Sequence, residues 1–163
     1  MRIAMNLEIK ILDPRLDDLG LLPDYATEGA AAVDLRACTI GGWQFERFTV
    51  APGSREKIGT GIAVDLGSLN VAFPVAGLIL PRSGLGARGV TLGNAPGMLD
   101  ADYQGEITLA LWNSGPHELV ISAFDRLAQL LIVPVMRPAF VPVPEFSRVT
   151  ERGEGGFGST GSA

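Results

Sequence analysis

The chain has 163 residues, 47% of them hydrophobic, which is enough for one well-buried domain and too few for two of ordinary size. No apolar run approaches the roughly 18 residues of a membrane-crossing helix, the first residues lack the charged-then-apolar pattern of a leader, and the single cysteine, Cys38, has no internal disulfide partner. A net charge of −5 argues against a broad basic surface for polymeric nucleic acid, so a cytoplasmic chain without membrane or polymer partners is expected, with any anionic ligand being small and held by a local arginine cluster.

Eleven prolines and 21 glycines leave almost no interval in which an ordinary helix runs uninterrupted, and the expected fold class is all-β. In chain order, strands are predicted at 7–11, 33–37 and 48–50, then where Ile62, Val64 and Leu66 alternate, and at 71–73 and 78–80. A short helical turn follows at 83–88. Further strands are predicted where Ile107, Leu109 and Leu111 share a face, at 118–121, and where Leu127, Gln129, Leu131 and Val133 share another. Gly41, Gly42 and Trp43 read as a surface loop. Such strands fit a sandwich, a jelly roll or a barrel, and periodicity does not choose among them. From Pro134, four prolines in eleven residues (Pro134, Pro138, Pro142, Pro144) describe an extended arm able to carry the end of the chain to a neighbouring subunit. The domain is expected to span 1–144, with arm and glycine-rich lid at 145–163.

Several segments carry chemistry. Asp34 is a carboxylate inside an apolar strand, which fits a partner for a buried arginine better than a metal ligand. Segment 81–89 ends a strand in a turn rich in donors, among them Arg82, Ser83 and the glycine amides, which suits phosphate oxygens or a plain solvated loop. Segment 97–106 sets Asp100, Asp102 and Tyr103 in what reads as a hairpin tip leading into the Ile107 strand. It is either an ordinary acidic turn or a place where one carboxylate activates a water while the tyrosine ring faces a sugar. Gln129 breaks an apolar face and needs a polar partner, with Arg126 nearby. His117 reads as a turn residue and Cys38 as a small core residue, and with one histidine and one cysteine no triad or Cys/His metal cluster is possible.

The segment 152–161 holds five glycines in ten residues, with Arg152, Phe157, Ser159 and Thr160 among them. Glycine amides, a guanidinium fork, two hydroxyls and one aromatic face suit closure over a phosphorylated ligand with a flat ring. A Walker-type loop is excluded, because Ser159 stands where its lysine belongs and no helix-forming sequence follows. Ordering such a segment costs about 1–2 kcal/mol per residue. It is therefore expected to close only when most phosphate contacts form together.

Taken in order, the segments 30–37, 81–89, 93–106, 126–134 and 152–161 resemble the motifs of the homotrimeric dUTP pyrophosphatase family, bacterial type, over most of the chain. The resemblance implies a jelly roll that trimerises, with each active site shared among subunits: one supplies the uracil hairpin, a second most phosphate contacts, the third its tail. It implies Mg2+-dependent attack of water on the α-phosphorus of dUTP, giving dUMP and pyrophosphate, which keeps uracil out of DNA and supplies dUMP for thymidylate synthesis. By that likeness Asp100 deprotonates the water with help from Gln129, and Arg82, Ser83, Gly84 and Gln129 hold phosphates. Arg152, Ser159 and Thr160 take the γ end. Asn94, Gly97, Met98 and Leu99 read the uracil, Tyr103 stacks on deoxyribose, Phe157 covers the base, and Asp34 reaches Mg2+ through water. Ala32 and Val33 replace a usual glycine and a following tyrosine or leucine, and Pro96 removes one N–H from the hairpin. The fold also suits a dCTP deaminase or a non-catalytic dUTP sensor, but the Asp100–Tyr103 hairpin and the glycine tail look more like the pyrophosphatase.

Overall fold

The computed structural model describes residues 5–156. Strand β1 (Glu8–Ile11) leads through the single turn α1 (Arg15–Asp18) to β2 (Val33–Arg36), β3 (Thr39–Ile40), β4 (Trp43–Gln44), β5 (Arg47–Val50), β6 (Arg55–Gly59) and β7 (Ile62–Asp65). After a 3-10 helix at Leu66–Leu69 come β8 (Val75–Pro81), α2 (Ser83–Gly86), β9 (Val90–Leu92), β10 (Gly97–Leu99), β11 (Thr108–Asn113), β12 (Leu119–Ser122) and β13 (Arg126–Pro134). Two principal sheets form, one in the order β10-β8-β13-β2 and one in the order β4-β3-β6-β11-β9, with the ribbons β1-β7 and β12-β5 beside them. The pairings are antiparallel and, apart from the β3–β4 hairpin, successive strands belong to different sheets, as in a jelly roll.

Alternation drives this architecture. In β11, Leu109 and Leu111 are buried while Ala110 and Trp112 are half-exposed, so one face enters a core shared with Leu35, Ile58, Ile121 and Leu130. Asn113 ends that strand fully buried, and its amide is satisfied: Nδ2 donates to the carbonyls of Val50 (2.9 Å) and His117 (2.8 Å), and Oδ1 accepts from the Gly115 N–H (3.2 Å).

Some expectations need correction. No strand forms at 71–73, because Asn70 turns left-handed (φ 46°) after the 3-10 helix and Pro74 offers no N–H, so the strand starts at Val75. The buried face of β13 is not Leu127, Gln129, Leu131 and Val133. A bulge between Arg126 and Ala128 puts Leu127 and Ala128 both inside, and Ala128 and Leu130 continue the core face while Gln129, Leu131 and Val133 remain half-exposed. Ile107 and Leu66 are buried but lie just outside their strands. Gly41 and Gly42 are the two central residues of a hairpin turn between β3 and β4, both at positive φ (56° and 86°), which glycine supplies without steric cost. Strand β6 escapes the sequence pattern because Arg55, Glu56 and Lys57 decorate it.

The N-terminal segment is clipped to this frame by a buried carboxylate. Asp13 is 4% exposed and takes a fork from Arg15, whose Nη2 is 2.5 Å from Oδ2, and Arg15 also donates to the Cys38 carbonyl and lies 4.8 Å over the Phe124 ring. The Arg15 hydrogen bond holds the Asp13 carboxyl below the ordinary carboxylate range. Cys38 is core, as expected: its Sγ donates to the Thr60 carbonyl, and burial pushes its thiol up to about 12.

Candidate active site

Two groups of polar residues stand at different places along β8. At its C-terminal end the chain leaves the sheet at Pro81, Arg82 stays extended, and α2 begins at Ser83, so the first helical amides face outward without intrahelical acceptors. A cleft of about 500 Å³ opens there, lined by Arg82, Ser83, Gly84, Arg88, Asp125, Arg126 and Gln129 together with apolar residues of β12. Asp34, on the adjoining strand β2, contacts Arg82, Arg126 and Gln129 of this lining. The antiparallel register sets Asp34 directly opposite Gln129, which in turn faces Leu80 of β8. Arg82 Nε is 3.0 Å from Asp34 Oδ1, Arg126 Nη1 is 3.4 Å from Oδ2, and Gln129 Nε2 is 3.4 Å from Oδ1.

Asp34 does pair with arginines, but with two partly exposed ones rather than the buried one its sequence context suggests, and Gln129 has found the polar partner it needs. Val33, one of the two residues that depart from the usual pattern, opens β2 opposite Leu130. Three guanidiniums face two carboxylates in the cleft region, an excess of positive charge suited to an anion. Arg88 and Asp125 were not singled out from the sequence; the donor-rich 81–89 segment already contained the first, but nothing local marked the second.

The other group lies on the segment 93–106, which runs from β9 through β10 to the start of β11. The hairpin expected at 97–106 does not form: β10 pairs with β8 while β11 pairs with β9 and β6, so the strands on either side of the Asp100 turn belong to different sheets. Asn94 is exposed in the connecting turn, whose Ala95–Pro96 peptide is cis. A Cβ at Gly97 would meet Ile79 Cβ at 3.2 Å and Asn94 Nδ2 at 3.4 Å, so the amide of Asn94 packs against a position kept bare. Met98 points outward and Leu99 inward. Beyond them Asp100 is exposed at the start of a tight turn closed by the Tyr103 N–H on the Asp100 carbonyl (3.1 Å). Gln104 donates to Asp65 (3.1 Å), and Glu106 Oε1 accepts from the Gly61 N–H (2.8 Å), which brace the turn from both sides.

Within one chain these two groups do not meet. Leu99 pairs with Gly77, and the run from Gly77 to Arg82 spans about 17 Å at the rise of an antiparallel strand, with Asp100 further out still. Arg152 is exposed, donates from Nε to the Gly155 carbonyl (2.8 Å), and is not among the cleft residues. Phe157, Ser159 and Thr160 lie outside the described residues. Among those described, no group of three or more His, Cys, Asp or Glu side chains is placed to hold a metal ion.

The family profile described as dUTPase matches residues 20–161. The chain is 48% identical over 158 residues to the deoxyuridine 5'-triphosphate nucleotidohydrolases of Burkholderia multivorans and of Burkholderia cenocepacia, covering 96% of this chain and 99% of each relative. Among solved structures it resembles the dUTPase of Staphylococcus bacteriophage 80alpha bound to dUpNHpp, with a TM-score of 0.78 and 24% identity over 96% of this chain and 99% of that one. It also resembles a mutant dUTPase from phage phi11 of S. aureus that coordinates a structural Mg(II) ion, with a TM-score of 0.70 and 20% identity over 88% of this chain and 99% of that one.

Proposed function

The chain belongs to the dUTPase family, and from that premise we propose that it hydrolyses dUTP to dUMP and pyrophosphate in the cytoplasm. The observation that carries this reading is the near full-length 48% identity to relatives bearing that activity's name. The cleft at Arg82 gives it physical form: the triphosphate lies along Arg82, Ser83, Gly84 and Gln129, with oxygens taking the donors that otherwise point at Asp34. Asn94 and the backbone of Gly97, Met98 and Leu99 read the uracil edge, and Tyr103 faces the deoxyribose. Arg152, Ser159 and Thr160 grip the γ-phosphate and Phe157 covers the base. The unit at 1–144 is the folded domain, and 145–163 is its arm and lid.

In the reaction Asp100 accepts a proton from a water, and the oxygen so freed attacks the α-phosphorus while Gln129 helps hold it. The bond from that phosphorus to the bridging oxygen breaks and pyrophosphate leaves. The cleft residues contribute positioning and charge. The donor set suits Mg2+ that would be held mainly by triphosphate and water, as that ion prefers, with Asp34 reaching it through water as the protein's contribution. When bound, Mg2+ neutralises and aligns the triphosphate.

The distance between the Asp100 turn and the Arg82 cleft in one chain is what supports a shared site in a homotrimer, because a base that far away cannot act on a phosphate held at the cleft. Past β13, among the described residues, the chain forms no further strand or helix and leaves Met136, Phe140, Phe146 and Val149 almost fully exposed, and a cleft of about 510 Å³ lined by Leu7, Ile9, Tyr25, Val71, Phe73 and Ile132 is apolar. Apolar surfaces of this extent suit burial between copies. Pyrophosphate release from dUTP compared with dTTP, dCTP and UTP tests the activity, with sedimentation testing the trimer. Turnover of dUTP far above the other three is expected; ammonia release from dCTP, or no turnover of dUTP, would overturn the reading.

A further inference from the structure

We infer that Gly105 sets the position of the Tyr103 ring and, through it, the enzyme's choice between deoxyribose and ribose. The inference rests on the reading above that Tyr103 faces the sugar. Glycine at this position is not required by backbone conformation, since its φ lies outside the left-handed range and an L-residue takes the same backbone without strain. What excludes a side chain is the ring itself. A Cβ on Gly105 would lie 2.5 Å from Tyr103 Oη, 2.7 Å from Cζ and 3.2 Å from Cε2.

The phenol end is thus parked over bare backbone, and it is fastened there as well. Tyr103 Oη donates to the Glu106 carbonyl at 3.0 Å, and Glu106 is itself anchored, its Oε1 accepting from the Gly61 N–H at 2.8 Å. On the preceding side Gln104 is tied to Asp65. Glu106 meets a second bare position, because a Cβ at Gly59 would lie 2.5 Å from its Oε1. Yet Tyr103 remains 47% exposed, so it offers surface to a ligand while its tip is held. A held ring acts as a wall, and a wall rejects an added hydroxyl group where a swinging side chain would yield. Restoring ordinary carbon contact over an added Cβ moves the ring by about 1 Å, a displacement able to cost up to about 100-fold when it falls on a substrate-facing group. Gly105 is in this sense a positioning residue that touches no substrate.

The test is a double-mutant cycle on the full chain, with Gly105→Ala, Tyr103→Ala and both together, reading kcat and KM for dUTP and for UTP. Gly105→Ala is expected to lower kcat/KM for dUTP about tenfold, chiefly through KM, and to narrow the preference for dUTP over UTP. In the Tyr103→Ala background it is expected to change either quantity by less than about twofold, because the atoms that oppose the new methyl are gone. Tyr103→Phe keeps the ring and removes its bond to Glu106, and it is expected to narrow the preference partway; this variant serves if Gly105→Ala does not fold. Equal losses from Gly105→Ala in both backgrounds, or an unchanged preference in Gly105→Ala and Tyr103→Phe while Tyr103→Ala narrows it, would overturn the inference. An unchanged preference in Tyr103→Ala overturns the sugar assignment and the selectivity role of Gly105 with it, whereas the activity on dUTP would stand.

Discussion

At one end of the four-stranded sheet Arg82 and Arg126 close on Asp34 through side-chain ion pairs; further along, the Asp100 turn is held by a backbone hydrogen bond, by Gln104 and Glu106, and by glycines that leave room. The first arrangement is electrostatic and exchangeable, since an arriving phosphate offers the arginines the same kind of partner that Asp34 already gives them. The second is steric, and no ligand can substitute for a missing Cβ. On the reading proposed above, a triphosphate can thus reorganise the cleft, while the base and sugar must fit a shape already made.

The sharpest way to break this comparison is to disable each region in a different copy. Arg82→Ala and Asp100→Asn are each expected to lower kcat by about 10²–10³ or more. Refolded together in equal amounts, they are expected to regain activity at roughly a quarter of the sites, where one copy lends an intact turn and its neighbour an intact cleft. Absence of recovery in the mixed sample would show that both halves of the site come from one chain.

A second prediction separates exchangeable ion pairs from fixed ones. Asp13 is more buried than Asp34, whose side chain is 16% exposed, and its fork to Arg15 joins the backbone carbonyl of Cys38. Asp13→Asn is expected to cost about 2 kcal/mol in denaturant unfolding near neutral pH. The folded-state carboxyl is held below its ordinary value, so the wild-type advantage is full above about pH 5 and fades as pH falls below the unfolded value of about 3.9 and through the lowered folded one. A difference between the two proteins that persists undiminished at the acid end would show that packing, not charge, is at work.

The smallest effect tests the exchangeable end directly. Asp34→Asn removes the anion that competes with phosphate for Arg82 and Arg126, and in the presence of a chelator pyrophosphate is expected to inhibit this variant at about fivefold lower concentration, the scale of one partly exposed ion pair. Unchanged inhibition would mean that the arginines bind the product without releasing Asp34.

Much of this could be read from the chain before any coordinates. The Leu109–Leu111 alternation, the donor-rich turn after β8 and the need of Gln129 for a partner are local signals, and local signals survive folding. What escaped is long-range or compensated. The bulge near Leu127 reverses which residues of β13 face inward, and a period-two pattern carries no mark of an extra residue. Charges on β6 hide a strand that lies inside a sheet. The identity of Asp34's partners depends on register across three strands, beyond the reach of spacing along one.

The crossing of the chain from β9 to β10 joins one sheet to the other through the very turn that bears Asn94. The Gly93 N–H, bonded to the Ala110 carbonyl at 2.6 Å, ties the start of this turn to β11, so its proton is expected to exchange with solvent far more slowly than that of the exposed Asn94 beside it. On the reading proposed above, in which this turn meets the uracil, fidelity toward the nucleobase and endurance against heat draw on the same junction between the sheets, and a core substitution that lowers one erodes the other.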